Sequence, residues 1–386
     1  MTDVDATLAA LRSAGLFRSL RTVESAQGAR VLLDGREVVL LCSNDYLGLA
    51  GDPRVRAAAA EAAQRWGAGA GASRLVSGNM APHRRLEREL ADFKGSEECV
   101  LFGSGFLANT GIVAALAGPG DVVLSDALNH ASLVDGCRLA RARTIVYPHG
   151  DLDALARELR AAPDGRALIV TDAVFSMDGD LAPLAEIVAL ARRQRARVVV
   201  DEAHATGVVG RTGRGLVAEL GLERDVDVVV GTLGKALGSY GAFACCDARM
   251  ASFLVNRART LIFSTALPPP SVGAALEALR IVREEPALVA RLHRNAAVLR
   301  EGLGLPGDPM PIVPLIVGGA AEAMALCEAA LAHGAFAQAI RPPTVPEGTS
   351  RLRVVATAAH AEEDLRAAAA TLAAAAHELG LAPAAA

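Results

Sequence analysis

The sequence predicts an α/β protein: a large domain on a mainly parallel seven-stranded sheet covered by helices, then a smaller α+β C-terminal domain. Three observations predict it. Short runs rich in β-branched residues recur near 98–102, 121–125, 143–147, 166–171, 196–201, 226–231 and 240–246, and most are apolar on both faces, as buried parallel strands are. Helical stretches near 105–117, 130–140, 151–161 and 183–194 separate most of them, the alternation of a sheet covered by helices. From about Ala274 the pattern changes to long helices and then to a fresh, smaller set of strands.

In chain order, residues 4–13 read as a short amphipathic helix. Arg30–Leu33 and Glu37–Leu41 read as a hairpin joined by Asp34-Gly35, a dipeptide suited to a two-residue turn. SNDYLGL (Ser43–Leu49) follows, then a helix from Pro53 to Trp66 with proline in its first turn. GAGAGASRLVSGN, residues 67–79, contains Gly67, Gly69 and Ala72 at the spacing of a dinucleotide fingerprint. That fingerprint must follow a strand and open a helix, and this one follows a helix, so a flexible glycine-rich loop near a ligand is the better reading. A helix spans Pro82–Lys94. Beyond the sheet, helices 272–284 and 286–303 lead to a connection punctuated by Pro306, Pro309, Pro311 and Pro314. Strands near 312–317 and 351–355 and helices near 320–333 and 360–379 complete the chain. The expected divisions are an N-terminal segment 1–50, a large domain 51–284 and a small domain 285–386.

Composition narrows the function classes. With 386 residues, 52% apolar and 21% charged, the chain can build a sizeable core. A net charge of −4 and dispersed arginines give no electrostatic case for nucleic acid or an anionic membrane. The six cysteines lack a C-x-x-C spacing and read as reduced thiols. The N-terminus carries acids where a signal peptide wants positive charge. No apolar run approaches the ~20 residues of a membrane span, so the expected location is the cytoplasm.

The chemistry centres on Asp227–Phe243, DVVVGTLGKALGSYGAF. Of 39 basic residues only Lys94 and Lys235 are lysine. A lysine in a glycine-flanked loop at a strand end can act as an amine nucleophile toward a carbonyl, which arginine cannot. Lys94, in DFKGSEE, fits a solvated surface charge. Two further features fall at strand ends, where open α/β sheets bind ligands. VLFGSGFLANTG turns from a strand through Gly103, Ser104 and Gly105 into a helix, whose first N–H groups favour a phosphate. In VVVDEAHATG, Asp201 ends a valine strand, and a carboxylate buried there needs a cation, unless it merely caps the next turn. A phosphate cradle, a buried acid for a ring nitrogen and a Schiff-base lysine together describe pyridoxal 5′-phosphate (PLP). His130, in SDALNHASL, is then placed to stack on the ring.

Nearly the whole chain, from about Arg18, resembles the α-oxoamine synthases, fold-type I PLP enzymes that join an amino acid to an acyl thioester with loss of CO2. The resemblance is carried by NDYLGL, SRLVSGN, FGSGFLANTG, DALNHASL, VFSMDGDLAPL, DEAHATGVVG, GTLGKALGSYGA, IFSTALPP and IRPPTVPEGTSRLRV. The wording of MDGDLAPL and IRPPTVPEGTSRLR is most similar to the branch that condenses L-alanine with a pimeloyl thioester in biotin biosynthesis; glycine C-acetyltransferase is the alternative, and a non-catalytic partner subunit a more distant one. The resemblance implies that Lys235 forms the Schiff base and later moves the substrate's Cα proton, that Asp201 pairs with the pyridine nitrogen, and that His130 stacks on the ring. It assigns Ser176 and His204 to the ring's 3′-oxygen, and Thr232 with the backbone at Ser104, Gly105 and Phe106 to the phosphate. Ser264 and Thr265 would reach the phosphate of a neighbouring subunit in a homodimer. Arg351 would grip the amino acid's carboxylate with Asn44 beside it, and Arg18 or Arg21 would lie near the acyl substrate. No metal is implied, and the acyl donor is carried on coenzyme A or on acyl carrier protein. Ala205 departs from the family's commoner glycine at that position.

Overall fold

The computed structural model describes residues 2–308 and 310–384, so Pro309 of the expected proline-rich connection lies outside it. In chain order the elements are α1 (Val4–Ser13), β1 (Arg30–Leu33), β2 (Arg36–Leu40), α2 (Pro53–Trp66), α3 (Ala81–Lys94), β3 (Glu98–Phe102), α4 (Gly105–Leu116), β4 (Val122–Asp126), α5 (Ala131–Ala140), β5 (Arg143–Tyr147), α6 (Leu152–Ala161), β6 (Ala167–Asp172), α7 (Leu184–Arg193) and β7 (Arg197–Asp201). There follow α8 (Leu216–Glu219), β8 (Val228–Thr232), β9 (Ala242–Cys246), α9 (Ala248–Arg257), α10 (Arg259–Ile262), α11 (Pro269–Glu284), α12 (Ala287–Gly302), β10 (Ile312–Gly318), α13 (Ala320–Ala332), β11 (Ala335–Phe336), β12 (Gln338–Ile340), β13 (Ser350–Val355) and α14 (Glu362–Glu378). Every expected strand and helix is present within a few residues; α8, α9, α10, β11 and β12 are additional. No helix among the described residues is long and apolar enough to cross a membrane.

The chain divides into two compact units. One comprises 49–176 and 180–289; the other comprises 1–48, 177–179 and 290–386. The larger unit is built on a seven-stranded sheet in the order β3-β9-β8-β7-β6-β4-β5. Strands β4 to β8 run parallel, while β9 is antiparallel to both β8 and β3. Phe102 and Thr232 both pair with Ala242, so the ends of β3 and β8 open on the same edge, two strand spacings apart. Asp172 and Asp201 end β6 and β7 side by side on that edge too. Val170, Val199, Val228 and Val230 of the sheet pack with Ile112 and Val113 of α4 and Leu133 of α5. The β-branched runs thus become strands because both faces are covered, and their carboxyl ends become one rim.

The smaller unit joins the two chain ends. The β1–β2 hairpin turns at Asp34 (φ +47°) and Gly35 (φ +77°), the left-handed pair a tight hairpin needs. β2 then pairs in parallel with β11, and β10, β13 and β12 form a second, antiparallel three-stranded sheet. Their shared core includes Val31, Leu41, Leu299, Leu326, Leu352, Leu365 and Leu372.

Candidate active site

The rim of the large sheet gathers the expected groups. After β8 the chain makes tight turns that carry Lys235, whose Nζ lies 2.7 Å from His204 Nε2. Thr232 Oγ1 donates to Gly241 O (3.1 Å) and accepts from the Gly234 N–H (3.2 Å), stitching the two arms of the lysine loop. Asp201 is buried; its Oδ1 accepts the Ala203 N–H (2.8 Å) and its Oδ2 the amide of Asn109 (2.5 Å). Asp201 therefore caps the next turn with one oxygen and is held by Asn109 through the other. Ser104 caps α4, its hydroxyl accepting from the Leu107 N–H (3.2 Å), and Gly105 and Phe106 form the helix's first turn.

His130 stands at the N-cap of α5, its position fixed from below. Its backbone N–H donates to Asp172 Oδ2 (2.7 Å). The neighbouring Asn129 side chain binds Val170 O and the Asp172 N–H. Desolvation and the charge of Lys235 hold the His130 imidazole below its usual pKa, against the pull of Asp201. Burial, and next the charge of Asp201, push Asp172 well above the ordinary carboxylate range. His149, not singled out in the sequence, bridges Asp126 (2.9 Å) and Asp180 (2.8 Å) edge-on to Phe175. Burial alone would lower its pKa, but those two carboxylates raise it.

Ser176 is half-buried beyond β6. Ser264 and Thr265 line a cavity of about 10 Å³ with Arg74 and Gly103, room for about one water. Thr265 also bridges to Ser73 of the glycine-rich loop, where Arg74–Gly78 form a defined π-helical turn closed by the Gly78 N–H on Ser73 O (3.0 Å).

Lys94 corrects its sequence reading. It is buried in an ion pair with Glu202 and also donates to Thr206 Oγ1 (3.1 Å) and Arg214 O. Glu202 in turn accepts the Val217 N–H (2.7 Å). Gly215 (φ +103°) lies so close that a Cβ there would stand 2.1 Å from the carboxylate. Glu202 follows a fully buried strand and requires a cation, and the last turn of α3 supplies one.

In the smaller unit, Arg351 is buried on β13. Its guanidinium binds Asp178 Oδ1 (2.5 Å), Thr349 O (3.0 Å) and Met177 O (3.3 Å). Asn44 Oδ1 accepts from Arg353 (3.0 Å), two residues further along the same strand face. Arg18 donates to Pro342 O (3.2 Å), whereas Arg21 is ion-paired with Glu328 and Asp34.

A strand-end lysine, a buried acid and a glycine-opened helix start on one rim suit a Schiff-base cofactor with an anionic tail, and PLP fits that donor set. The architecture is that of the fold-type I PLP class. Residues 36–372 match the aminotransferase class I and II family. The chain is 53% identical over 381 residues to the 8-amino-7-oxononanoate synthase of Geobacter sulfurreducens, covering 96% of this chain and 97% of that one. It is 52% identical to the enzyme of the same name from Anaeromyxobacter dehalogenans, covering 92% and 91%. Among solved structures, Sphingomonas wittichii serine palmitoyltransferase superposes with a TM-score of 0.91 at 32% identity, covering 98% and 97%. The 8-amino-7-oxononanoate synthase of Francisella tularensis gives 0.76 at 26%, covering 89% and 99%. The chain belongs to the 8-amino-7-oxononanoate synthases within the aminotransferase class I and II family.

Proposed function

We propose that this chain binds PLP and condenses L-alanine with a pimeloyl thioester, giving 8-amino-7-oxononanoate, CO2 and free thiol in biotin biosynthesis. The observation that carries the reading is Lys235, held on His204 at the same sheet edge as Asp201 and the start of α4. When bound, PLP supplies an aldehyde for the Schiff base and a ring that stabilises negative charge at the substrate's Cα. The chain's own residues do the rest. Lys235 Nζ would hold the cofactor's aldehyde, and its amine is the group placed to move the substrate's Cα proton. His204 and Ser176 would hold the 3′-oxygen, and Asp201 would pair with the ring nitrogen. The first N–H groups of α4, with Thr232, hold the phosphate. His130 covers the ring face. Ser264 and Thr265 serve the phosphate of the second subunit of a homodimer.

Arg351 takes the amino acid's carboxylate, a bidentate task for a planar guanidinium. Since Asp178 already binds that guanidinium, the incoming carboxylate exchanges with one already in place. Of the two N-terminal candidates, Arg18 has no acidic partner among the described residues, and we assign it the acyl chain. The enzyme works in the cytoplasm.

The test uses purified, PLP-loaded protein with L-alanine or glycine and pimeloyl-CoA or acetyl-CoA, following free thiol and CO2. Release of both with alanine and the pimeloyl donor is expected. Release with glycine and acetyl-CoA moves the chain to the acetyltransferase reaction, and release only from pimeloyl-carrier protein identifies the donor as protein-borne.

A further inference from the structure

Asp201 and His130 stand on different elements, and two side chains that the proposed reaction does not use connect them. Asn109, in the middle of α4, is 1% exposed. Its Nδ2 donates to Asp201 Oδ2 (2.5 Å) and to Ser132 Oγ (2.9 Å). Ser132 Oγ lies 2.7 Å from His130 Nδ1, and the Ser132 backbone N–H also points at Nδ1 (3.3 Å). Four residues from β7, α4 and α5 thus form one continuous string of polar atoms.

The direction of each bond follows by elimination. Asn109 turns its NH2, not its carbonyl, toward Asp201 Oδ2, which accepts. The second hydrogen of that NH2 goes to Ser132 Oγ, which leaves the hydroxyl's own hydrogen to be donated onward. His130 Nδ1 receives the Ser132 backbone N–H and therefore bears a lone pair; the hydroxyl donates to it as well. A neutral imidazole with a lone pair on Nδ1 carries its hydrogen on Nε2. Asn109 Oδ1 is left buried without a hydrogen-bond partner among the described residues. An amide that tolerates an orphaned oxygen is oriented by what its NH2 serves. Flipping it would set a carbonyl against the Asp201 carboxylate and take the Ser132 hydroxyl's hydrogen away from His130.

We propose that Asn109 and Ser132 are positioning residues: a one-way string of donors that keeps Asp201 an acceptor-only carboxylate and His130 a neutral imidazole protonated on Nε2. This rests on the reading of Asp201 and His130 as the groups facing PLP. Under it, Asp201 can meet a cationic ring nitrogen without passing its charge to His130, and His130 offers a fixed donor on its outward nitrogen. The titratable groups that face His130 are Asp201, Asp172 beneath its backbone N–H, and Lys235; desolvation and Lys235 favour the neutral form.

The full chain, labelled with 15N-histidine and free of cofactor, is compared by two-bond proton–nitrogen correlation spectra across neutral pH, with His130→Gln assigning the signals. The wild type is expected to show a protonated Nε2 and a pyridine-type Nδ1. Ser132→Ala raises the proportion of Nδ1–H about fivefold to tenfold, the loss of one hydrogen bond, and Ser132→Thr restores it. In the PLP-loaded protein, Asn109→Leu shifts the pH dependence of the visible cofactor band, while Ser132→Ala leaves it in place. An Nδ1–H or imidazolium signal in the wild type overturns the proposal, as does a Ser132→Ala spectrum identical to wild type. If Asn109→Leu does not fold, the serine pair decides alone. Because the tautomer is read without cofactor, a protein that never takes up PLP sinks the functional reading and leaves this one standing.

Discussion

The chain's two lysines occupy the same unit and meet opposite fates. Lys94 closes α3 against Glu202, Thr206 Oγ1 and Arg214 O, every one an acceptor and one of them a full negative charge. Lys235 sits in the loop after β8 with the imidazole of His204 2.7 Å away. A lysine in contact with a buried carboxylate is committed to it, since its removal would leave that anion uncompensated. Lys235 instead meets an imidazole beyond β8, on the edge where Asp201 ends its strand. The two lysines thus differ in what they touch: one closes a buried ion pair, the other stands against a ring nitrogen in the loop after β8.

The largest effect expected from breaking this contrast is at Lys235. Lys235→Arg keeps the positive charge but not an amine that can be deprotonated, and should lower turnover by at least about a thousandfold. It should also remove the borohydride-sensitive absorbance of the PLP-loaded protein. Near-normal turnover in this variant would falsify the assigned chemistry.

Lys94→Met comes next. It leaves Glu202 buried and unpaired, and should cost about 3–5 kcal/mol of stability, read as a lowered denaturant midpoint. Lys94→Met with Glu202→Leu should recover most of that loss. A double variant as unstable as the single one would show that the pair does more than neutralise itself.

Asp172 sharpens the comparison with the smallest effect. Like Glu202 it is a buried acid, but it is met by the backbone N–H of His130 instead of a lysine in contact. With its pKa raised, the folded chain holds a proton that the unfolded chain has already lost. Stability should therefore fall as pH rises from the ordinary carboxylate range through the folded value. Asp172→Asn should flatten that slope in thermal unfolding followed over pH; parallel curves for variant and wild type would count against it.

What was legible in the sequence tracks how local its cause is. Valine runs ending at Asp201 and Gly231 announced strands because both faces are buried, and those ends announced the rim. The lysine loop stood out because arginine is used almost everywhere else. Elements of two to four residues, such as α8, β11 and β12, carry too little periodicity to read. α9 had a cue in Asp247, which caps it through the Met250 N–H, but the strand just before hid it. The pairings that shape the site were out of reach. Asn109 meets Asp201 across 92 residues and Arg351 meets Asp178 across 173. Lys94 was misread for the same reason, its carboxylate lying 108 residues downstream.

The β1–β2 hairpin pairs with β11, a strand near the opposite end of the chain. Residues 49–289 hold almost everything the larger unit needs before Ala290 is made. The smaller unit cannot close its first sheet until β11 has left the ribosome. At roughly 5–20 residues per second, the roughly 300 residues between the hairpin and β11 take about 15–60 s to make. For that time the apolar face of the newborn hairpin, Val31, Leu33 and Val38, has no permanent cover, which makes the N-terminus the segment of the nascent chain most in need of a chaperone's shelter.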